Sequence, residues 1–201
     1  MEDSEYSKRW SDPKFLSRME KVFTSIFVSR TPVEGADLRG LIVGLDGAPS
    51  ALLAADFQDV NLENVDLSYS SLSCAFSRAC IQESKFCKAV FDTCRLKGAR
   101  FRSCVFVSAR FDGPTLDDSV FLDCSFTQAN LVGRGLNEYG GRRVVFERCD
   151  FKKSLLENLQ LRACVFRDCS FETTTFRKCL MVGVKFEGTM PAENSFVSCH
   201  R

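Results

Sequence analysis

Cysteine has the widest chemical reach of any residue type in this chain, and eleven cysteines stand against a single histidine, His200. Four pairs, Cys74/Cys94, Cys104/Cys124, Cys149/Cys169 and Cys179/Cys199, share one spacing of 20 residues. If the backbone completes one circuit in that span, the paired Cα atoms stack within disulfide range. The alternative is that each thiol serves as a small buried hydrophobe. Ala, Ser and Thr alternate with Cys at the equivalent places, which favours the second reading. A zinc centre needs four converging nitrogen or sulfur ligands at short spacing; Cys164 and Cys169 lie five apart with no histidine near them. A nucleophile needs a base beside it, and the one histidine is next to the end of the sequence. Asp117-Asp118 reads as a solvated pair, and neither common phosphate-binding glycine spacing occurs. The expectation is no catalytic residue, no metal, no cofactor and no enzymatic activity.

The elements that carry these thiols follow a period of five. From Cys74 onward, large apolar residues occupy positions 76, 81, 86 and so on to 196, and 23 of the 25 such positions are filled that way. All 15 phenylalanines beyond residue 75 fall in this one phase. Two places earlier runs a second set of small residues, Cys74, Ala79, Ser84, Ala89, Cys94 and onward, which holds nine of the 11 cysteines. The remaining three places of each unit are mostly polar. A period of five suits neither an α-helix nor a flat strand. It suits a chain that turns a corner every five residues with one large and one small side chain pointing inward. Four such sides close a coil of about 20 residues, and coils stack at roughly 4.8 Å. On that count Phe86, Phe106, Phe126, Phe146, Phe166 and Phe186 form one continuous ladder, and Phe76, Leu96, Leu116, Leu136, Leu156, Phe176 and Phe196 form another.

Ala36-Asp37-Leu38, Ala55-Asp56-Phe57, Val60-Asn61-Leu62, Val65-Asp66-Leu67 and Ala129-Asn130-Leu131 repeat a small residue, an Asp or Asn, then Leu or Phe. In this the chain, over roughly residues 36–199, resembles the pentapeptide-repeat proteins. The resemblance implies an all-β solenoid: a right-handed quadrilateral parallel β-helix. Its Phe-x-x-Cys-x-Phe units, such as Phe101 to Phe106, Phe121 to Phe126, Phe146 to Phe151 and Phe166 to Phe171, are similar to a Phe/Cys-rich branch of that family. That branch includes quinolone-resistance and gyrase-binding proteins, thought to imitate duplex DNA as an acidic rod and to reach the topoisomerase through loops. By that resemblance the chain is a protein-binding scaffold that modulates or protects DNA gyrase, a type II topoisomerase. The alternatives are a general protein-interaction module and a structural array stacking end to end.

The expected organisation is an N-terminal tail and capping helix over 1–35 and a repeat coil over 36–201, with a loop excursion at 132–145. Residues 12–29 read as one amphipathic helix, with Asp12 as its cap and Pro13 at its first position. Phe15, Met19, Val22, Phe23, Ile26 and Phe27 share a face, which suits a lid on the open end of a solenoid. In the less regular repeats before residue 73, Leu52, Phe57, Leu62, Leu67 and Leu72 share a phase. The step from Leu72 to Phe76 is one residue short, which predicts a tightened corner. Four glycines mark the stretch 132–145 as a loop. The five-residue phase continues through it, so no net offset is expected. By resemblance, Arg134, Asn137, Glu138, Tyr139, Arg142 and Arg143 there are the partner-contacting residues. The repeat breaks at Pro191, and the last coil is expected to be bare or to pair with another molecule, so a monomer or an end-to-end dimer is anticipated.

Net charge is +1, so no whole-molecule field favours nucleic acid or an anionic membrane, and direct binding to either is not expected. Residues 31–75 hold seven acids and one Arg, while 77–110 hold eight Lys or Arg against two acids. A DNA-like acidic surface is therefore expected only near residues 46–66, and the basic residues scatter over all four sides. No apolar stretch follows the polar Met1–Glu5 segment, so a reducing, cytoplasmic setting is expected.

Overall fold

The computed structural model describes residues 3–134 and 139–200. The chain winds into a parallel β-solenoid of about seven turns with helices at its N-terminal end. Each side contributes a two- or three-residue strand or a single bridge, and every strand pairs in parallel with the turn before or after it. Inward residues stack in four columns. Phe101, Phe121, Phe146, Phe166 and Phe186 belong to the first side. Phe86, Phe106, Phe126, Phe151 and Phe171 belong to the second. Phe91, Phe111, Leu131, Leu156 and Phe176 belong to the third. Gly141, Leu161 and Met181 belong to the fourth. The stacked rings are nearly parallel, with centroids 5.0 Å apart for Phe86/Phe106 and 4.9 Å for Phe106/Phe126. Among the described residues thirteen phenylalanines are fully buried. That apolar lumen is the main source of stability, since burying one such side chain contributes about 1.5–3 kcal/mol.

The corners rest on a conformation that ordinary residues avoid. In most units the residue two places after the inward residue has positive φ, as in Lys88 (56°), Ser108 (57°) and Gln128 (59°). On the second side the corner is also closed by a turn bond, as from the Ala109 N–H to the Phe106 carbonyl (3.0 Å). The aspartate of the repeat has a local task there: Asp66 and Asp150 each accept the backbone N–H two residues on, at 2.9 Å, as Asp56 does on the fourth side. No such turn bond closes the corners after the first and third sides. At the short step from Leu72 to Phe76 no residue between Tyr69 and Arg78 has positive φ. The tightened corner has lost its left-handed residue.

Two expectations are corrected. Phe121 pairs with Phe146, twenty-five residues on, and Phe126 stacks on Phe151 rather than on Phe146. The excursion therefore adds one complete five-residue unit between Leu131 and Gly141, and the supposed ladder through Phe126 and Phe146 joins two different sides. An insertion of one whole period leaves the phase untouched, so phase counting misses it. The second supposed ladder is broken likewise: Leu96 and Leu116 lie on the fourth side and Leu156, Phe176 and Phe196 on the third, while Leu136 lies outside the described residues. Leu52 shares the five-residue phase, yet it lies on a 3₁₀ turn, Ser50–Leu52, within a longer excursion between Val43 and Phe57. The ladder also takes in Val33–Glu34, paired with Leu62 and Glu63, ahead of residue 36.

At the N-terminal end, α1 (Asp3–Lys8) leads through a short 3₁₀ segment to α2 (Pro13–Phe23), continued as a π-turn over Thr24–Ser29. Asp12 accepts the Lys14 N–H at 3.0 Å and caps α2. Trp10, Phe23, Phe27, Phe57 and Phe76 make successive ring contacts from the helices into the lumen. The helices cover the apolar cross-section of the first coil. Trp10 is buried, and its indole N–H donates to the Arg39 carbonyl at 2.9 Å. The amphipathic pattern beginning at Phe15 did not reveal it. No helix among the described residues is long and apolar enough to cross a membrane.

The cysteines carry no disulfide. Most lie inside, where each thiol donates to a main-chain carbonyl of the neighbouring coil, as Cys94 does to Leu72 (3.1 Å) and Cys179 to Leu156 (3.3 Å). Burial pushes the Cys164 thiol up, and that of Cys179 up to about 12. Cys80, outside the small-residue phase, is exposed.

Candidate partner-binding site

The excursion leaves the coil after Val132 and rejoins it at Gly140. Arg134, at its start, turns back onto the third side. Its guanidinium lies 2.9 Å from Asp92 and 3.4 Å from Asp112. Asp112 is buried and also meets Arg110 at 2.6 Å. Tyr139, at the return, lies against Gly113, where a Cβ would stand only 2.8 Å from the ring. The glycine is what lets the ring approach. Arg143, one corner later, forks onto Asp118 with contacts of 2.6 and 2.9 Å, and that guanidinium holds the Asp118 carboxyl below the usual aspartate range. Arg142 points from the fourth side, its backbone N–H bound to Asp117 at 2.8 Å. Asn137 and Glu138 lie outside the described residues.

Four of the six expected contact residues thus have a place. Arg134, Tyr139 and Arg143 are engaged by the coil and fix the two feet of the loop; Arg142 stays on an open face. Of the anchoring partners, the sequence drew attention only to Asp118, as half of a solvated pair, and not to Asp92, Asp112 or Gly113. All four lie 22 to 42 residues upstream of the groups they hold, and only the register with its added unit identifies them.

The N-terminal acids are not a free negative surface. Asp37 is held by Arg9 and Arg39 at 2.8 and 2.7 Å, Asp56 by Arg30 at 2.8 Å, and Asp59 by Arg78 at 2.6 Å. Between residues 46 and 66, three of the five acids, Asp56, Asp59 and Asp66, lie within 4.0 Å of an arginine. Arg9 and Arg30, which hold Asp37 and Asp56, come from the helical cap. Among the described residues no three His, Cys, Asp or Glu side chains gather as a metal site would require.

No family model matches the sequence. Among curated proteins, the pentapeptide repeat protein MfpA of Mycobacterium tuberculosis is 35% identical over 68 residues, which is 31% of this chain and 37% of MfpA. The chain thus spans well under half the length of the curated relative it matches. Among solved structures, a trypsin-treated variant of QnrB1, described as a plasmid-mediated fluoroquinolone resistance protein, gives a TM-score of 0.52 at 13% identity. The match covers 79% of this chain and 84% of that one. Full-length QnrB1 gives a TM-score of 0.45 at 14% identity, covering 84% and 92%.

Proposed function

Since this chain is a pentapeptide-repeat protein in its sequence period and its fold, we propose that it is a non-enzymatic scaffold whose loop, between Val132 and Gly140, contacts a protein partner. The observation that carries the reading is how that loop is held. A rigid coil presents it, and Arg134, Tyr139 and Arg143 pin it on both sides. Feet fixed in this way lose little conformational freedom on binding. A type II topoisomerase of the gyrase kind is the partner to test first. The Phe-x-x-Cys-x-Phe units support that choice, and the description of QnrB1 as a fluoroquinolone resistance protein supplies the drug arm.

The experiment is a gyrase supercoiling assay with and without a quinolone, using the intact chain and an in-phase deletion of residues 134–138. The intact chain is expected to change supercoiling or relieve the drug, and the deletion to lose the effect. No effect of the intact chain at micromolar concentration removes the topoisomerase as partner.

A second reading, a general interaction module, is favoured by one observation. Asp37, Asp56 and Asp59 are neutralised by arginines, so recognition through an acidic DNA-like field finds little support on this coil. Affinity capture with the intact and deleted chains separates the two. A partner other than a topoisomerase, lost on deletion, favours the module; capture of nothing by the intact chain removes the scaffold reading altogether.

A further inference from the structure

Cations on successive coils of the C-terminal half are repeatedly met by carboxylates one turn away. Arg143 meets Asp118, Arg148 meets Asp123, Arg167 lies between Glu147 and Glu187, and Arg177 meets Glu157. The fourth side departs from this pattern. There Arg142 stands in register with Arg162 on the next coil, so two arginine side chains leave adjacent strands at the same level. Strands in that position are about 4.8 Å apart, and like charges so placed repel. Neither arginine forms an ion pair among the described residues. Arg162 donates to the Gln160 side chain at 3.2 Å, and Asp117, on the coil before, spends an oxygen on the Arg142 main-chain N–H. Both arginines border a depression of about 300 Å³ that Thr115, Asp117, Gly141 and Gln160 also line.

We infer that Arg142 and Arg162 form a carboxylate-binding site, filled by an Asp or Glu side chain from an acidic segment of the protein partner; this deepens the scaffold reading and rests on it. The guanidinium fork matches a carboxylate in two parallel bonds. The same coil already makes that geometry within itself: Arg177 grips Glu157 at 2.8 and 2.7 Å. A carboxylate supplied from outside completes on the fourth side what the chain supplies elsewhere, and it cancels the repulsion between the two arginines. Asp117 in the depression and Asp118 at the adjoining corner make a run of phosphates the poorer occupant. One carboxylate adds a single negative charge, whereas nucleic acid brings a closely spaced row of them.

The test uses the full chain labelled with ¹⁵N and follows its arginine Nε–Hε signals. The probes are an acetylated, amidated tetraglutamate peptide and, separately, a thymidylate dodecamer at the same ionic strength. The peptide is expected to move the Arg142 and Arg162 signals and to leave those of Arg143 and Arg177 in place. Arg162→Gln is expected to weaken peptide binding by at least about tenfold, and Arg162→Lys by less. Unmoved Arg142 and Arg162 signals in the wild-type chain overturn the site whatever the variants do. So does equal binding by a folded Arg162→Gln chain. Tighter binding of the oligonucleotide overturns the carboxylate assignment. The peptide titration needs no natural partner, so the outcomes separate: peptide binding without any captured partner keeps the site and loses the scaffold, and the reverse keeps the scaffold and loses the site.

Discussion

Two excursions interrupt the coil, and both leave it at the same corner, between the third and fourth sides. The first follows Val43 and stretches its turn so that Val43 pairs with Leu72, twenty-nine residues on. The second follows Leu131, which pairs with Leu156, twenty-five residues on. The short step from Leu72 to Phe76 falls at that corner too. The corner lacks the turn bond that closes the second side, so residues added or lost there break no such hydrogen bond. The corner after the first side also lacks that bond and stays regular, so its absence permits change without requiring it. What separates the two excursions is content. The first turns Leu52 inward, buried, and lines a groove with Phe23 and Phe27 of the cap. The second is held at its feet by Arg134, Arg143 and one tyrosine ring. The buried leucine of the first joins the core, whereas the charged feet of the second are fastened by ion pairs.

The sharpest way to break that contrast is Leu52→Ala. Removing a buried leucine from the first excursion is expected to cost about 2–5 kcal/mol, read by denaturant unfolding. A loss below about 1 kcal/mol would mean that this excursion is not core. Asp112→Ala comes next. It leaves Arg110 and Arg134 facing one another without their shared carboxylate, with an expected cost of about 1–3 kcal/mol. Faster amide exchange is expected near the loop feet but not at Leu52. Deleting residues 134–138 restores a coil of ordinary length. It is expected to change stability by less than about 1 kcal/mol, and a collapse of the fold would show that the charged excursion is structural after all.

Acid gives the finest distinction. The Arg39 and Arg9 side chains hold the Asp37 carboxyl far below its usual range, and Arg143, with a smaller contribution from Lys97, lowers that of Asp118. Both groups are depressed in the folded state. The stability they contribute is therefore present above the ordinary aspartate pKa, about 3.9, and is lost as pH falls through the folded values. Asp118 is expected to protonate first, loosening a loop foot while Asp37 still ties the cap, and side-chain carboxyl NMR through an acid titration reads the order. The reverse order would contradict the difference in how the two regions are fastened.

How much was legible depended on what each residue repeats. The inward phase from Phe76 to Phe196 could be read directly, because every unit must place one large group inside. The cap could be read from Asp12-Pro13 and the apolar face beyond it, whereas Trp10 stands alone before the periodic stretch and left no pattern to follow. The loop at 132–145 was marked by its glycines and arginines. Its anchors Asp92 and Asp112 were not, since contacts across coils depend on the number of residues per turn, and Phe126 and Phe146 look alike whichever of them stacks. Arg162 was hidden for the same reason: nothing in its own segment says that it lies beside Arg142.

Sequence alone determined that this chain coils with a period of five, which side chains fill the lumen and where a helix closes one end. These follow from local rules, as each five-residue unit must bury its own large residue and turn its own corner. Only the tertiary structure decided how many residues each circuit holds, and therefore which groups meet across the coils. Adding or removing a whole unit leaves every local rule satisfied while moving all later contacts by one side.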